Sequence, residues 1–307
     1  LAKSVHRRLC AKGEDTAAAD FCAECAARFS AEGQHELAAD LGKDLVEAYE
    51  SSQAPTTEEN LARVERLMEG IPGSAAYALR LASLQRALRW SAGQGAPRGH
   101  PRLHRLAANC HWAREDYGKC QAHLVFCGDG PALARLVRDW RAQGYPNEED
   151  LFSLRTLLIL LSLNDAATAR AFWDASYGDV LAGAAPASAS SAASSSSAPA
   201  TAQPPAPSQE GSASDAAQQP EAAPGAPRPL PEPAVQCGAF LLTAAEEKSL
   251  QFFRLVRGKY ALVFRRDSSF DMYLNEAEAR IFDIPQQRGG LGAIVDALLG
   301  GSGSAGA

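Results

Sequence analysis

An all-α fold, a degenerate α-solenoid of tetratricopeptide-like helical hairpins with an Ala/Ser/Pro insert, is what the sequence predicts. Three observations predict it. Helix breakers recur every roughly 15 to 23 residues, so a hairpin takes about 35 to 40, the range of tetratricopeptide and HEAT-like arrays. Apolar residues between the breakers fall at helical spacing. The chain of 307 residues is 46% hydrophobic but only 7% aromatic, and an alanine-rich, aromatic-poor mixture suits close-packed helices better than a sheet. The tetratricopeptide consensus itself does not repeat.

The breakers are Gly13, Gly33, Pro55, Pro72, the Gly93–Gly99 loop, Asp116, Gly128–Gly130, Gly144–Pro146 and Asn164. Leu1, Val5 and Leu9 open the chain already in helical register. Phe21, Cys25 and Phe29 share one predicted face, as do Leu37, Leu41 and Leu45, and Leu61, Val64 and Leu67. Thr56 with Glu59 predicts a capping box. Asn147, followed by Glu148, Glu149 and Asp150, predicts a capped and dipole-matched helix start. Leu151 to Leu163 is apolar almost all round; at about 13 residues it is too short for a bilayer and fits a central helix. A partner helix follows over Asp165 to Tyr177.

From about Ala182 to Pro233 the sequence is alanine, serine, proline and glutamine, too polar to offset the entropy of ordering. The expected organisation is therefore 1–181 helical, 182–233 a disordered insert, 234–300 helical, and 301–307 a flexible tail. After the insert come Phe240, Leu241 and Leu242, then Leu250, Phe253 and Val256. Tyr260 to Phe264 reads as a strand or a helix end. Phe270, Tyr273, Leu274, Ala277 and Ile281 make a helical stripe that Pro285 stops, and Gly289-Gly290 opens a last amphipathic segment over Leu291, Ile294, Val295 and Leu298.

Net charge is −6, which argues against a polyanion binder. No apolar run approaches about 18 residues, so no membrane span is expected. Seven cysteines, odd in number and irregular in spacing, point to reduced thiols in the cytosol.

Few residues suggest chemistry. Cys22 and Cys25 lack the second pair a zinc site needs and lie mid-helix, as buried small residues do. Cys110, His111, Cys120, His123 and Cys127 cluster without an anchoring Cys-x₂₋₄-Cys pair. His100 and His104 have no glutamate between them, unlike a zincin; the first suits a helix cap, the second packing or a partner contact. Gly93, Gly95 and Gly99 follow a helix, not a strand, and no Gly-Lys-Ser/Thr ends the loop, so a phosphate loop is set aside. No catalytic arrangement or cofactor site is expected. Between Gly70 and Arg114 lie seven arginines (80, 86, 89, 98, 102, 105, 114) and no carboxylate. This predicts a local positive field for an acidic partner, or else a solvated helix face; RNA is a weaker third reading.

The least generic stretch is Arg86-Ala-Leu-Arg-Trp90-Ser, then Gly93, Gly95 and Gly99-His100-Pro101-Arg102-Leu103-His104. It resembles the Golgi to ER traffic protein 4 family. Supporting likenesses are Phe29-Ser, Glu32-Gly-Gln34 and Ala38-Ala-Asp-Leu41, Glu59-Asn-Leu-Ala-Arg-Val and Leu67-Met, Asp129-Gly130, Arg265-Arg-Asp, Met272-Tyr-Leu, Phe282-x-x-Pro285 and Gly289-Gly-Leu-Gly. The resemblance implies a non-catalytic cytosolic scaffold that bridges a targeting ATPase for tail-anchored proteins and a ubiquitin-like-domain subunit, with a BAG-family chaperone in animals. It implies no nucleic acid and no membrane insertion. It also implies a further helix before Leu1 that contributes to ATPase docking, and a short proline-containing loop where this chain has its insert.

Combined with the charge pattern, the ATPase-facing surface is expected at Lys3, His6, Arg7, Arg8, Lys12 and Arg28. The ubiquitin-like partner is expected at Phe240, Leu241, Leu242, Phe252, Phe253 and Phe264. The competing readings are another α-solenoid adaptor, proteasome-lid-like or tetratricopeptide, and a metal-dependent enzyme using the Cys/His cluster.

Overall fold

The computed structural model describes residues 2–72, 74–92, 96–145, 148–184 and 232–284. Every regular element among them is a helix: α1 (Ala2–Ala11), α2 (Asp15–Ala31), α3 (His35–Ser51), α4 (Glu58–Glu69), α5 (Tyr77–Ala92), α6 (Pro101–Trp112), α7 (Tyr117–Leu124), α8 (Gly130–Arg141), α9 (Glu149–Ser162), α10 (Ala166–Ala184), α11 (Pro233–Glu246), α12 (Leu250–Lys259), α13 (Ala261–Phe264) and α14 (Phe270–Ile281). Among the described residues the predicted breakers fall between two helices, except that Gly130 is the first residue of α8. Residues 1–178 and 232–307 group as one compact unit, and 179–231 as a second. The first unit holds all of these helices except the end of α10.

Short polar side chains start several helices by accepting from orphan backbone N–H groups. Asp116 accepts from Lys119, and Asp129 from Ala132. Before α4 the cap is Thr57, accepting from Asn60, and not Thr56. Glu59 pairs with Arg63 instead of closing a capping box. The expected Asn147 cap lies outside the described residues, but Glu149 and Asp150 do occupy the first turn of α9.

Neighbouring helices pack as hairpins, α2 on α3 and α6 on α7. Alternate helices stack, α1 on α3, α2 on α4, α3 on α5 and α4 on α6. This two-step stacking is what makes the array a solenoid. A continuous core runs through the first half, with Cys22, Leu41, Leu45, Leu61, Met68, Leu84, Leu103 and Cys110 among its buried residues. The all-round apolar α9 receives α8, α11 and α14.

Several expected faces are corrected. On α2 the buried face is Ala18, Ala19, Cys22 and Ala26, while Phe21, Cys25 and Phe29 are half-buried. Small residues let α3 approach closely, and the larger side chains fill the flanks. Leu41 and Leu45 are buried, but Leu37 is exposed at the start of α3. In α1 the described buried side chain is His6, with Val5 and Leu9 half-buried. Tyr260 to Phe264 is no strand: Tyr260 ends α12 and the rest is the short α13. Helix α10 runs to Ala184, past the expected start of the insert at 182. Helix α11 starts at Pro233, and residues 185–231 of the insert and everything from Pro285 onward lie outside the described residues.

Candidate functional site

Three places deserve comparison with expectation: the Arg86–His104 join, the basic first hairpin and the aromatic C-terminal helices.

The join is a structural lock. Trp90 is buried against Tyr49, ring centroids 5.0 Å apart, and its Nε1 donates to the Ala54 carbonyl at 2.8 Å. Ser91 Oγ donates to the Leu88 carbonyl and accepts from the His100 backbone N–H, both at 2.9 Å. Gly99 sits at φ +101°, and a Cβ there would lie 2.7 Å from Leu88, so the turn requires glycine. His100 caps α6, its Nδ1 accepting from Arg102 N at 3.3 Å, and Pro101 takes the first helical position. Leu103 is buried. Gly93 and Gly95 lie outside the described residues.

His104 closes the lock and joins a chain of imidazoles. Its Nε2 lies 2.9 Å from the Arg98 carbonyl, so Nε2 carries a hydrogen and donates. Its Nδ1, 3.0 Å from His123 Nδ1, must then accept from that nitrogen. His111 stacks on His123, and its Nδ1 meets the Tyr77 hydroxyl at 3.0 Å. Burial lowers the proton affinity of all three histidines, and His123 falls to about 4 because its two neighbours add to the burial effect. Neutral imidazoles are metal ligands in principle, but the Nδ1 atoms of His104 and His123 bond one another and that of His111 bonds the Tyr77 hydroxyl. No group of three or more His, Cys, Asp or Glu side chains among the described residues is placed to hold a metal ion. Cys120 and Cys127 are pushed up to about 12 and about 11 by burial, the reverse of an activated thiolate.

The expected positive field of the arginine run is largely neutralised. Arg86 bridges Glu47 and Glu50 of α3. Arg102 bridges Glu58 and Glu65 of α4, and Arg105 pairs with Asp129 at 2.9 Å. Arg80 is buried, donating to the Pro72 and Met68 carbonyls. Arg98 and Arg114 lie over the rings of Phe126 and Tyr77. Arg89 is exposed.

In the first hairpin the expected set divides. His6 is buried, its Nε2 3.4 Å from Cys10 Sγ. Lys3 is held by Asp40 and Asp44 of α3. Arg7, Arg8, Lys12 and Arg28 are exposed and form no ion pair among the described residues.

The C-terminal set divides in the same way. Leu241, Leu242, Phe253 and Phe264 are core. Phe240 is 43% exposed and meets Phe252 and Tyr260 edge-on or tilted, at 6.1 and 6.3 Å. Leu255 and Leu262, not foreseen, are exposed on α12 and α13. Leu255 lies two residues after the buried Phe253, a spacing that turns it off the core face, so the sequence did carry that signal.

Residues 12–300 match a family model described as Golgi to ER traffic protein 4. The homologues of that protein from Homo sapiens and Bos taurus are each 26% identical over 304 residues, covering 96% of this chain and 79% of theirs. A crystal structure of C. therm. Get4 aligns with a TM-score of 0.70 at 19% identity, over 99% of this chain and 89% of that one.

Proposed function

This chain belongs to the Golgi to ER traffic protein 4 family, and from that premise we propose that it is a non-catalytic cytosolic adaptor. It bridges an ATPase that targets tail-anchored proteins and a ubiquitin-like-domain cochaperone. The observation that carries the reading is the family match over nearly the whole chain. Two further features support it. Exposed cations without an ion pair among the described residues include Arg7 and Arg8 on α1, Lys12 just after it and Arg28 on α2, and exposed aromatic and aliphatic side chains gather on α11 to α13. No helix of the described residues is long and apolar enough to cross a membrane.

The ATPase docks on Arg7, Arg8, Lys12 and Arg28, where an electropositive face speeds encounter with an acidic partner. The ubiquitin-like subunit docks on Phe240, Phe252, Tyr260 and their exposed leucine neighbours. Exposed aromatics with a polar end are the residue types that dominate such interfaces.

Co-purification with each partner tests the assignment. Phe240→Asp is expected to abolish capture of the ubiquitin-like subunit and leave the ATPase bound. Arg7→Glu with Arg8→Glu is expected to do the opposite and to flatten the salt dependence of what remains. If neither Phe240→Asp nor the Arg7 and Arg8 double substitution changes capture in a folded protein, the bridging role is wrong.

A further inference from the structure

The turn between α13 and α14 reads Arg265-Arg266-Asp267-Ser268-Ser269-Phe270. Two arginines stand two and three residues before Ser268. That is the arrangement basic-motif protein kinases accept, because their acidic subsites take a guanidinium on the amino-terminal side of the acceptor hydroxyl. Ser268 is exposed, whereas Ser269 is half-buried with its hydroxyl on Asp267 at 2.7 Å. Val263, Phe264 and Phe270 anchor the turn in the core on either side, so it is the exposed turn itself that presents Ser268 to a kinase.

The surroundings of Ser268 are as informative as its motif. It lines a cleft of about 280 Å³ with Glu148, Leu151, Phe152, Arg155, Arg266 and Asp267. Two arginines and Ser268 thus line one small cleft. Both already hold α9 to this turn: Arg155 Nε donates to Asp267 at 3.0 Å, and Arg266 Nη2 to Asp150 at 3.0 Å. A phosphate here would meet two cations in the forked geometry that suits it. It would also lie just before α14, where the helix dipole favours negative charge.

We propose that Ser268 is a phosphorylation site, and that Arg155 and Arg266 bind the phosphoryl group once it is attached. The donor is a nucleoside triphosphate. The Ser268 Oγ–phosphorus bond forms as the bond from the γ-phosphorus to its bridging oxygen breaks. The nucleoside diphosphate leaves, and the hydroxyl proton passes to the kinase base. The modified serine carries a charge of about −1.5 to −2 at neutral pH. It competes with Asp267 and Asp150 for the two arginines, so the junction between α9 and α14 exchanges carboxylate partners for phosphate.

The test treats the folded full chain with a basic-motif kinase and ATP, maps the site, and titrates the phosphoserine by phosphorus NMR. Stoichiometric labelling at Ser268, lost in Ser268→Ala, is expected. The second phosphate ionisation should lie below that of the phosphorylated peptide Arg265–Phe270, near its ordinary value of about 6. Arg155→Gln should return it toward the peptide value without changing the labelled residue. Labelling of Ser269 or of no residue in this turn overturns the site. An ionisation equal to the peptide's overturns the arginine clamp.

Discussion

Acid should weaken the imidazole chain more than any other part of the fold above pH 5. His123 has a proton affinity of about 4 against an ordinary 6.5, set first by burial and then by His104 and His111. Burial is what disfavours the cation: a second proton on Nε2 would leave the Nδ1–H bond to His104 intact but would put a charge out of water beside two further imidazoles. Protonating His123 places a cation among Tyr77, Phe126 and two further imidazoles, with the Arg98 guanidinium over Phe126. At His111, Asp116 favours protonation and Lys119 opposes it. A histidine depressed in the folded state gives stability that is complete above about pH 6.5 and is lost as pH falls toward 4. The linkage integral is about 2 kcal/mol lost between pH 7 and pH 5, and about 3 kcal/mol by pH 4, from His123 alone. Urea unfolding followed by tryptophan fluorescence at pH 7, 6 and 5 measures it. In His123→Asn the side-chain amide can still donate to His104 but does not titrate. That variant starts less stable at pH 7 and should lose about 2 kcal/mol less on going to pH 5. The carboxylates and the other histidines are common to both proteins, so the difference between the two reports the loss of this ring. Parallel stability curves for the two would refute the reasoning.

Three other perturbations separate packing, charge and docking. Gly238→Ala puts a Cβ 2.2 Å from Trp173 Cζ2, inside a fully buried ring contact, and should cost about 1 to 3 kcal/mol in chemical denaturation. Arg102→Ala removes the bridge from α6 to Glu58 and Glu65. With Arg102 34% exposed and Glu58 80% exposed, the loss should be about 1 kcal/mol or less and should shrink in high salt. Phe240→Asp should leave the melting curve within about 0.5 kcal/mol of the parent, whereas Leu242→Asp, fully buried, should unfold the C-terminal helices in circular dichroism by stranding a carboxylate in the core. An equal effect from these two would contradict the division of that set into surface and core.

Helix starts and stops were legible because they rest on local chemistry. A proline at N1, an aspartate before a free N–H and a glycine with positive φ act within four or five residues. Which face is buried was less legible. On α2 the apolar moment points to Phe21, Cys25 and Phe29, but close approach of α3 selects alanines, and that distance is a tertiary quantity. The same holds for Leu241 against Phe240. They are adjacent in sequence, equally apolar, and assigned to opposite environments only by where α9 and α10 lie. Nothing in residues 86 to 104 foretold that His104 would bond His123, because the two are joined only by the hairpin of α6 and α7.

The arginine run shows how a charge pattern misleads when it is read along the chain alone. Arg86 meets Glu50 and Glu47 at separations of 36 and 39 residues, and Arg102 meets Glu65 and Glu58 at 37 and 44. Those separations are about one hairpin period. In a solenoid the charge neighbour of a residue lies one repeat away, in the equivalent helix of the next hairpin. Lys3 on Asp40 and Asp44, and Arg63 on Asp20, obey the same rule across α1 to α3 and α2 to α4. A stretch without carboxylates is therefore not a positive field if the preceding repeat supplies them. Applied to the whole chain, the rule removes Arg86, Arg102 and Lys3 from the list of docking cations. Of the cations expected to meet a partner, it leaves Arg7, Arg8, Lys12 and Arg28, with Arg89 of the run, as those whose loss should weaken an acidic partner without weakening the fold.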